Sequence, residues 1–81
     1  MTLKELLAGL DILSSSADLN TDIHEVQYDS RLVEPGDLFI AVPGAAADGH
    51  RFIPMAREKG AACVLCEKIP EGDVPFVQVA D

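Results

Sequence analysis

The chain has 81 residues, a net charge of −8 and a hydrophobic share of 48%. One small domain with a single core is expected at this length, and with one tyrosine and three phenylalanines that core must be mainly aliphatic. The acidic surface argues against a nucleic-acid partner, because it repels a phosphate backbone. No apolar run approaches the ~20 residues of a membrane-spanning helix, and the first residues lack the order of a secretion signal, so a soluble cytoplasmic protein is predicted.

The first segment predicts a short helix. Thr2 and Glu5 form a capping box, in which each side chain satisfies a backbone amide at the helix start. Four leucines then recur at helical spacing and give one apolar stripe: Leu3, Leu6, Leu7 and Leu10. Residues 14–22 are mostly polar and predict a loop.

The middle of the chain predicts two strands and a helix. Ile23 to Tyr28 alternates apolar and polar residues, which is typical of a half-exposed strand. Glu34 to Asp37 reads Glu-Pro-Gly-Asp, a turn in which Pro presets φ and Gly accepts a positive φ. The apolar run from Asp37 to Val42 predicts a central strand. Phe52 to Lys59 predicts a helix that tolerates Pro54 in its first turn and ends at Gly60.

Two further strands are predicted at Cys63 to Cys66 and at Val74 to Val79, separated by the turn Pro70 to Asp73. The element order indicates an α/β fold with a small mixed β-sheet and two helices, all in one domain of residues 1–81. The strand, helix, strand unit from Leu38 to Leu65 predicts a parallel crossover.

Cys63 and Cys66 have the spacing of a redox or metal motif, but they lie in an apolar run. Residues three apart on a strand point to opposite faces, so the two thiols should not meet. No second cysteine pair completes a zinc site. Two small core residues are therefore predicted.

Two loops combine turn residues with functional groups. Tyr28-Asp29-Ser30-Arg31 is either a polar recognition edge or a structural Asp–Arg pair with a serine at a strand end. Residues 44–50, Gly-Ala-Ala-Ala-Asp-Gly-His, either let a ligand approach the backbone closely or form a tight structural loop. The residues alone favour the structural interpretation of the first loop and slightly favour it for the second.

The sequence shows no recognisable set of catalytic residues. His50 has no serine, cysteine or paired carboxylate at a suggestive spacing, so a loop-closing hydrogen bond is the simpler role. His24 falls on the polar face of a strand and is expected to be solvated. The chain carries no phosphate-binding glycine motif and no cluster of metal ligands.

Two stretches together nevertheless resemble a known family. They read Asp29-Ser30-Arg31-x-Val33-x-Pro35-Gly36-Asp37-Leu38-Phe39-Ile40-Ala41-Val42-x-Gly44 and Asp48-Gly49-His50-x-Phe52-Ile53-x-x-Ala56-x-x-x-Gly60-Ala61. This pattern is similar to the N-terminal domain of Mur ligases, and the likeness extends over about the whole chain. Within the family it is closest to the branch that adds the third amino acid to UDP-MurNAc-L-Ala-D-Glu in peptidoglycan synthesis.

The resemblance implies a cytoplasmic, three-domain, ATP-dependent ligase whose first domain holds the uridine end of the substrate. It implies substrate contacts at Tyr28 and Ser30 on the first loop, and mainly backbone contacts at Ala45, Ala46 and Ala47 on the second. The other motif positions are expected to build the loops: Asp29, Arg31, Pro35, Gly36, Asp48 and Gly49.

ATP and Mg²⁺ would be bound by another domain, whose phosphate loop is expected downstream of Asp81, so the chain alone should bind without catalysing. The alternatives are the family branch that adds D-Ala-D-Ala and a non-catalytic interaction module. The choice of third amino acid, diaminopimelate or lysine, would lie in the C-terminal domain. The ligand assignment requires both loops to come together in space.

Overall fold

The computed structural model describes residues 1–41 and 49–80. The elements are helix α1 (Leu3–Leu6), strands β1 (Ile12–Ser15), β2 (Val26–Gln27) and β3 (Leu38–Ile40), helix α2 (Ile53–Glu58), and strands β4 (Cys63–Cys66) and β5 (Phe76–Val79). Two short 3₁₀ turns accompany them, at Ser30–Leu32 and at Gly49–Phe52. Within the part of the chain that the structure describes, no helix is long and apolar enough to cross a membrane.

The five strands form one mixed sheet in the order β1-β5-β4-β3-β2. Strands β2, β3, β4 and β5 run parallel, and β1 is antiparallel to β5 at the edge. The predicted α/β class, mixed sheet and parallel crossover from β3 through α2 to β4 are confirmed. Because four strands are parallel, their carboxyl ends share one edge of the sheet, called here the carboxyl edge, and their amino ends share the other, the amino edge.

Helix α1 begins as predicted and ends earlier. Thr2 Oγ1 accepts from the Glu5 amide while the Glu5 carboxylate accepts from the Thr2 amide, which completes the capping box. Gly9 has φ +90°, a left-handed conformation that an α-helix does not continue through. Leu3 and Leu7 are therefore buried, but Leu10 is 48% exposed, and its assignment to the buried stripe is wrong.

Strand β1 was not predicted, since residues 14–22 read as a polar loop. Ser14 and Ser15 pair with Gln78 and Val77 of β5, and the amides of Ser16 and Ala17 both donate to the Phe76 carbonyl. The outermost strand of a sheet can form backbone hydrogen bonds without an alternating apolar pattern. The polar side chains of β1 therefore gave no strand signal in the sequence. The register shifts by one residue between Ile12 and Ser14, which marks a β-bulge at Leu13.

The remaining predicted elements are confirmed. β4 has the predicted bounds, Cys63–Cys66, and the others are narrower, while Val42 of the predicted central strand lies outside the described residues. β2 covers only Val26–Gln27 of the predicted span from residue 23 to 28, and β5 begins at Phe76. Pro54 lies in the first turn of α2, and Gly60, with φ +99°, follows its end. The predicted turn closes through a 3.1 Å hydrogen bond from the Asp37 amide to the Glu34 carbonyl, with Gly36 at φ +89°.

The core divides between the two faces of the sheet. On the α2 face, helix α2 packs against a cluster that includes Phe39, Val64 and Cys66. On the α1 face, Leu3 and Leu7 pack against Leu38, Cys63 and Val77.

Cys63 and Cys66 therefore point to opposite faces, as predicted, and both thiols are free. Burial raises the pKa of Cys63 to about 12 and that of Cys66 to about 11, so neither thiol is reactive.

Candidate functional site

The first predicted loop and the chain that leads to the second leave the sheet at the same edge. β2 and β3 are parallel neighbours, with Val26 beside Leu38 and Gln27 beside Phe39. The first loop follows Gln27, and the chain leading to the second follows Ile40, so both depart from adjacent positions on the carboxyl edge. Ala45, Ala46 and Ala47 lie outside the described residues. The described chain resumes at Gly49, where the 3₁₀ turn Gly49–Phe52 leads directly into α2.

A groove of about 560 Å³ lies where the first loop meets the start of α2. It is lined by the first loop and by two apolar side chains from the chain that follows the second: Tyr28, Asp29, Ser30, Arg31, Phe52 and Met55. Tyr28 is 70% exposed, so the face of its ring is open to solvent. The groove thus offers aromatic and thioether surface beside the polar groups of the first loop, which suits a flat heterocycle.

Asp29 and Arg31 form the structural pair that the residues predicted. Arg31 donates from Nε to Asp29 Oδ1 at 3.0 Å and from Nη2 to Oδ2 at 2.7 Å. Asp29 Oδ1 also accepts from the Arg31 amide at 2.9 Å and so caps the 3₁₀ turn Ser30–Leu32. These bonds from the Arg31 side chain and amide lower the pKa of Asp29 to about 2. The Asp29 carboxylate therefore has a structural role in the loop.

Ser30 lies beneath the groove rather than projecting into solvent. Ser30 is buried, and its hydroxyl donates a hydrogen bond to Met55 Sδ at 3.5 Å. A thioether is a weak acceptor, and the serine oxygen keeps its own lone pairs. The hydroxyl can therefore exchange this bond for one to a ligand at low cost.

His50 closes a loop, as predicted. Its Nε2 accepts from the amides of Glu67 and Lys68 at 3.0 and 3.2 Å, just after β4 ends. The imidazole thereby ties the segment before α2 to the carboxyl end of β4. This bonding gives His50 a structural role at the same edge of the sheet as the groove.

His24 departs from the prediction of a merely solvated side chain. It is 58% exposed, yet its Nδ1 lies 3.0 Å from Oδ1 of Asp37, which is fully buried. The hydrogen bond to Asp37 raises the pKa of His24. Burial raises the pKa of Asp37, but the Glu34 amide and the His24 ring donate to it and hold its pKa below the ordinary value. This pair lies at the amino edge, away from the groove.

A second groove of similar size, about 540 Å³, lies between α2 and the chain that joins β4 to β5. It contains none of the described residues that were predicted to contact substrate. The groove beside Tyr28 is the better candidate, because it combines the predicted polar loop with exposed aromatic surface. Within residues 1–41 and 49–80, no three histidine, cysteine or acidic side chains come together in a way that could hold a metal ion.

Phe52 and Met55 are groove residues that the sequence did not single out. Both lie at the start of the predicted helix, and their spacing of three places them on one side of it. The Arg51 guanidinium lies 5.8 Å from the Phe52 ring centre, within reach of a cation–π contact. Phe52 belonged to the quoted motif, but an apolar motif residue does not reveal whether it packs inward or lines a groove.

Comparison with known proteins gives matches in both sequence and structure. The model of "Mur ligase family, catalytic domain" matches residues 22–79. The UDP-N-acetylmuramoyl-L-alanyl-D-glutamate--2,6-diaminopimelate ligase of Bacteroides thetaiotaomicron is 44% identical over 84 residues, with 100% of this chain and 17% of the relative covered. The ligase of the same name from Clostridioides difficile is 43% identical over 82 residues, again with 100% and 17% covered. The chain thus spans about a sixth of the length of these relatives.

Solved structures agree with the sequence matches. The crystal structure of MurF from Acinetobacter baumannii has a TM-score of 0.69 at 30% identity, with 73% of this chain and 13% of that chain covered. MurF ligase from Thermotoga maritima in complex with ADP has a TM-score of 0.69 at 29% identity, with 76% and 14% covered.

Proposed function

This chain belongs to the Mur ligase family, and on that basis we propose that it is the N-terminal domain of the ligase that adds the third amino acid to UDP-MurNAc-L-Ala-D-Glu. The names of the relatives that are 44% and 43% identical over the entire chain support this reaction in peptidoglycan synthesis. The same names support 2,6-diaminopimelate as the amino acid that is added.

The domain holds the uridine end of the substrate. The observation that supports this role is the groove of about 560 Å³ beside the first motif loop, at the edge from which β2 and β3 both end. The pyrimidine stacks against the exposed ring of Tyr28 and the apolar surface of Phe52 and Met55. Ser30 supplies a hydroxyl beneath the ring, and Ala45, Ala46 and Ala47 supply backbone groups from the second loop.

Charge limits what the domain binds by itself. Arg31 is already paired with Asp29 through three side-chain hydrogen bonds, so it is not an open site for phosphate. With a net charge of −8, the surface disfavours the diphosphate, which other domains of the ligase hold. If uridine's roughly seventeen heavy atoms each contribute about 0.3 kcal/mol, the isolated domain binds with a Kd of about 0.1–1 mM.

Catalysis belongs to the full-length ligase. There ATP activates the substrate carboxylate for attack by the incoming amine, and ATP and Mg²⁺ are bound outside this chain. The ADP named in the Thermotoga maritima structure supports a nucleotide site in such proteins.

A second candidate is the branch that adds D-Ala-D-Ala, since the solved structures with TM-scores of 0.69 are MurF proteins. Sequence identity favours the first candidate, at 44% over the entire chain against 30% over 73% of it. The full-length enzyme, assayed with 2,6-diaminopimelate and with D-Ala-D-Ala as the incoming group, distinguishes the two.

An NMR titration of residues 1–81 with UDP-N-acetylmuramic acid tests the binding role directly. Shifts are expected at residues 28–31 and 44–48, whereas residues 69–74 beside the second groove should not move. Absence of shifts at millimolar ligand would overturn the proposal. Ser30→Ala should weaken binding by about 1 kcal/mol. Ser15→Ala on β1 is the matched control and should leave the Kd unchanged.

A further inference from the structure

One of the two methionines of the chain lies at the candidate site. Met55 is the third residue of α2, is 41% exposed and lines the groove with Tyr28 and Phe52. The other, Met1, lies beside the segment that enters β2, because its carbonyl accepts from the Ile23 amide at 2.8 Å. A thioether is thus present at the groove, and a second, also exposed, lies at the amino edge.

The sulfur of Met55 is the acceptor that holds the Ser30 hydroxyl. Ser30 Oγ donates to Met55 Sδ at 3.5 Å, across the contact between the first loop and α2. The loop is fixed on its own side, since Asp29 Oδ1 accepts from the Arg31 amide at 2.9 Å. Because a thioether is a weak acceptor, the hydroxyl can leave it for a ligand. The strength of this acceptor therefore sets how easily Ser30 becomes available.

Oxidation of the sulfur changes that strength. With hydrogen peroxide as the oxidant, a lone pair of Met55 Sδ attacks one peroxide oxygen and forms the S–O bond as the O–O bond breaks. The other oxygen takes the proton of the transferred oxygen and leaves as water, so the thioether is oxidised to a sulfoxide and the peroxide is reduced. The side chain is exposed enough for this reaction, and the groove of about 560 Å³ has room for the added oxygen.

Both epimers of the sulfoxide interfere with the groove. A sulfoxide oxygen directed toward the first loop is a stronger acceptor than the thioether, and it is carried by the atom to which Ser30 already donates, so it retains the hydroxyl. An oxygen directed away from the loop enters the groove and places a polar group beside the aromatic surface of Tyr28 and Phe52. In either case the groove loses a feature that suits a flat heterocycle.

We propose that Met55 is a reversible oxidation site and that its sulfoxide closes the groove to a uridine nucleotide. The inference rests on the proposed function for the identity of the ligand. The change in the hydrogen bond of Ser30 does not depend on a ligand, so it can be measured separately. Oxidation of Met1 has no such effect, because Met1 lies at the amino edge.

Peroxide treatment of the 81-residue chain tests the inference, with mass spectrometry to follow each methionine and an NMR titration with UDP-N-acetylmuramic acid to give the Kd. Oxidation of Met55 should raise the Kd at least about fivefold, the equivalent of one lost hydrogen bond. Methionine sulfoxide reductases specific for the two epimers should together restore it. Both cysteines, Cys63 and Cys66, are buried with pKa values raised to about 12 and about 11, so they should stay reduced.

Two variants separate the methionines. Met1→Leu leaves Met55 as the only thioether and should show the same increase in Kd after peroxide. Met55→Leu is the matched control: whatever its starting Kd, peroxide should leave that value unchanged. An equal response of Met55→Leu, or resistance of Met55 to peroxide while Met1 is oxidised, would overturn the inference.

Measurements without ligand separate this inference from the proposed function. Oxidation should shift the NMR resonances of residues 28–31, and the shift should be smaller in Ser30→Ala; equal shifts would overturn retention of the hydroxyl by the sulfoxide. If the untreated chain does not bind the nucleotide but shows the Ser30-dependent shift, only the proposed function is removed. If it binds and the Kd is the same after oxidation of Met55, only this inference is removed.

Discussion

An aspartate has a different role at each of the two edges where the parallel strands begin and end. At the amino edge, Asp37 is fully buried and accepts from the Glu34 amide at 2.8 Å and the His24 ring at 3.0 Å. At the carboxyl edge, Asp29 holds Arg31 in a partly exposed loop, and the neighbouring Tyr28 is left open. The motif that begins at Asp29 therefore has two structural roles. Its earlier residues line the groove at the carboxyl edge, and its later residues, up to Asp37, form the turn at the amino edge.

The largest expected effect is a loss of stability from a substitution at the amino edge. A Cβ added at Gly60 would come 2.9 Å from Pro35 Cα, and the residue has φ +99°. Gly60→Ala should therefore lower the free energy of unfolding by about 3 kcal/mol, from left-handed strain plus overpacking. Urea unfolding followed by circular dichroism measures the loss.

Gly72→Ala is the matched control for that substitution. Gly72 has φ +82° but no atom within 4 Å of the added Cβ, so only the strain of about 1 kcal/mol remains. Equal losses for both variants would show that the contact with Pro35 is not what fixes this edge.

The second prediction concerns the carboxyl edge and should change binding without changing stability. Tyr28→Ala removes the stacking surface and should raise the Kd for UDP-N-acetylmuramic acid about fivefold, or about 1 kcal/mol. Leu32→Ala is the control, because Leu32 is 60% exposed in the 3₁₀ turn that follows Tyr28 but does not line the groove. Weaker binding by both variants would argue against a site centred on Tyr28. Isothermal calorimetry or the NMR titration gives the Kd.

The smallest expected effect is the pH dependence of the His24–Asp37 pair. The hydrogen bond to Asp37 raises the pKa of His24 in the folded state. The stability it contributes is therefore complete below the ordinary histidine value of about 6.5 and is lost as pH rises through the raised folded value. From about pH 5.5 to about pH 8.5, the original protein should lose more unfolding free energy than His24→Gln. Parallel pH profiles from urea unfolding would contradict this role.

Much of the fold follows from local sequence. The capping box at Thr2, the Pro35-Gly36 turn and the end of α2 at Gly60 were predictable because each depends on residues near one another in the chain. The opposite orientations of Cys63 and Cys66 followed from strand geometry alone. β1 was not predicted, because its strand character comes from pairing with β5, more than sixty residues away, and its serines carry no apolar signal.

Less of the candidate site than of the fold could be predicted from the sequence. The first loop was located, and its Asp–Arg pair was predicted, because both partners lie within three residues. Phe52 and Met55 were missed as groove residues, since only the folded crossover brings α2 against the loop after β2. The bond from Ser30 to Met55 and the bond from His24 to Asp37 likewise join segments that no local pattern connects.

The chain has one tyrosine and no tryptophan, and that tyrosine is the exposed Tyr28 at the groove. The tyrosine emission of the unlabelled protein consequently originates at the candidate site. A heterocycle seated on the phenol ring would quench that emission, so occupancy becomes readable in an ordinary fluorimeter, with no dye and no engineered reporter.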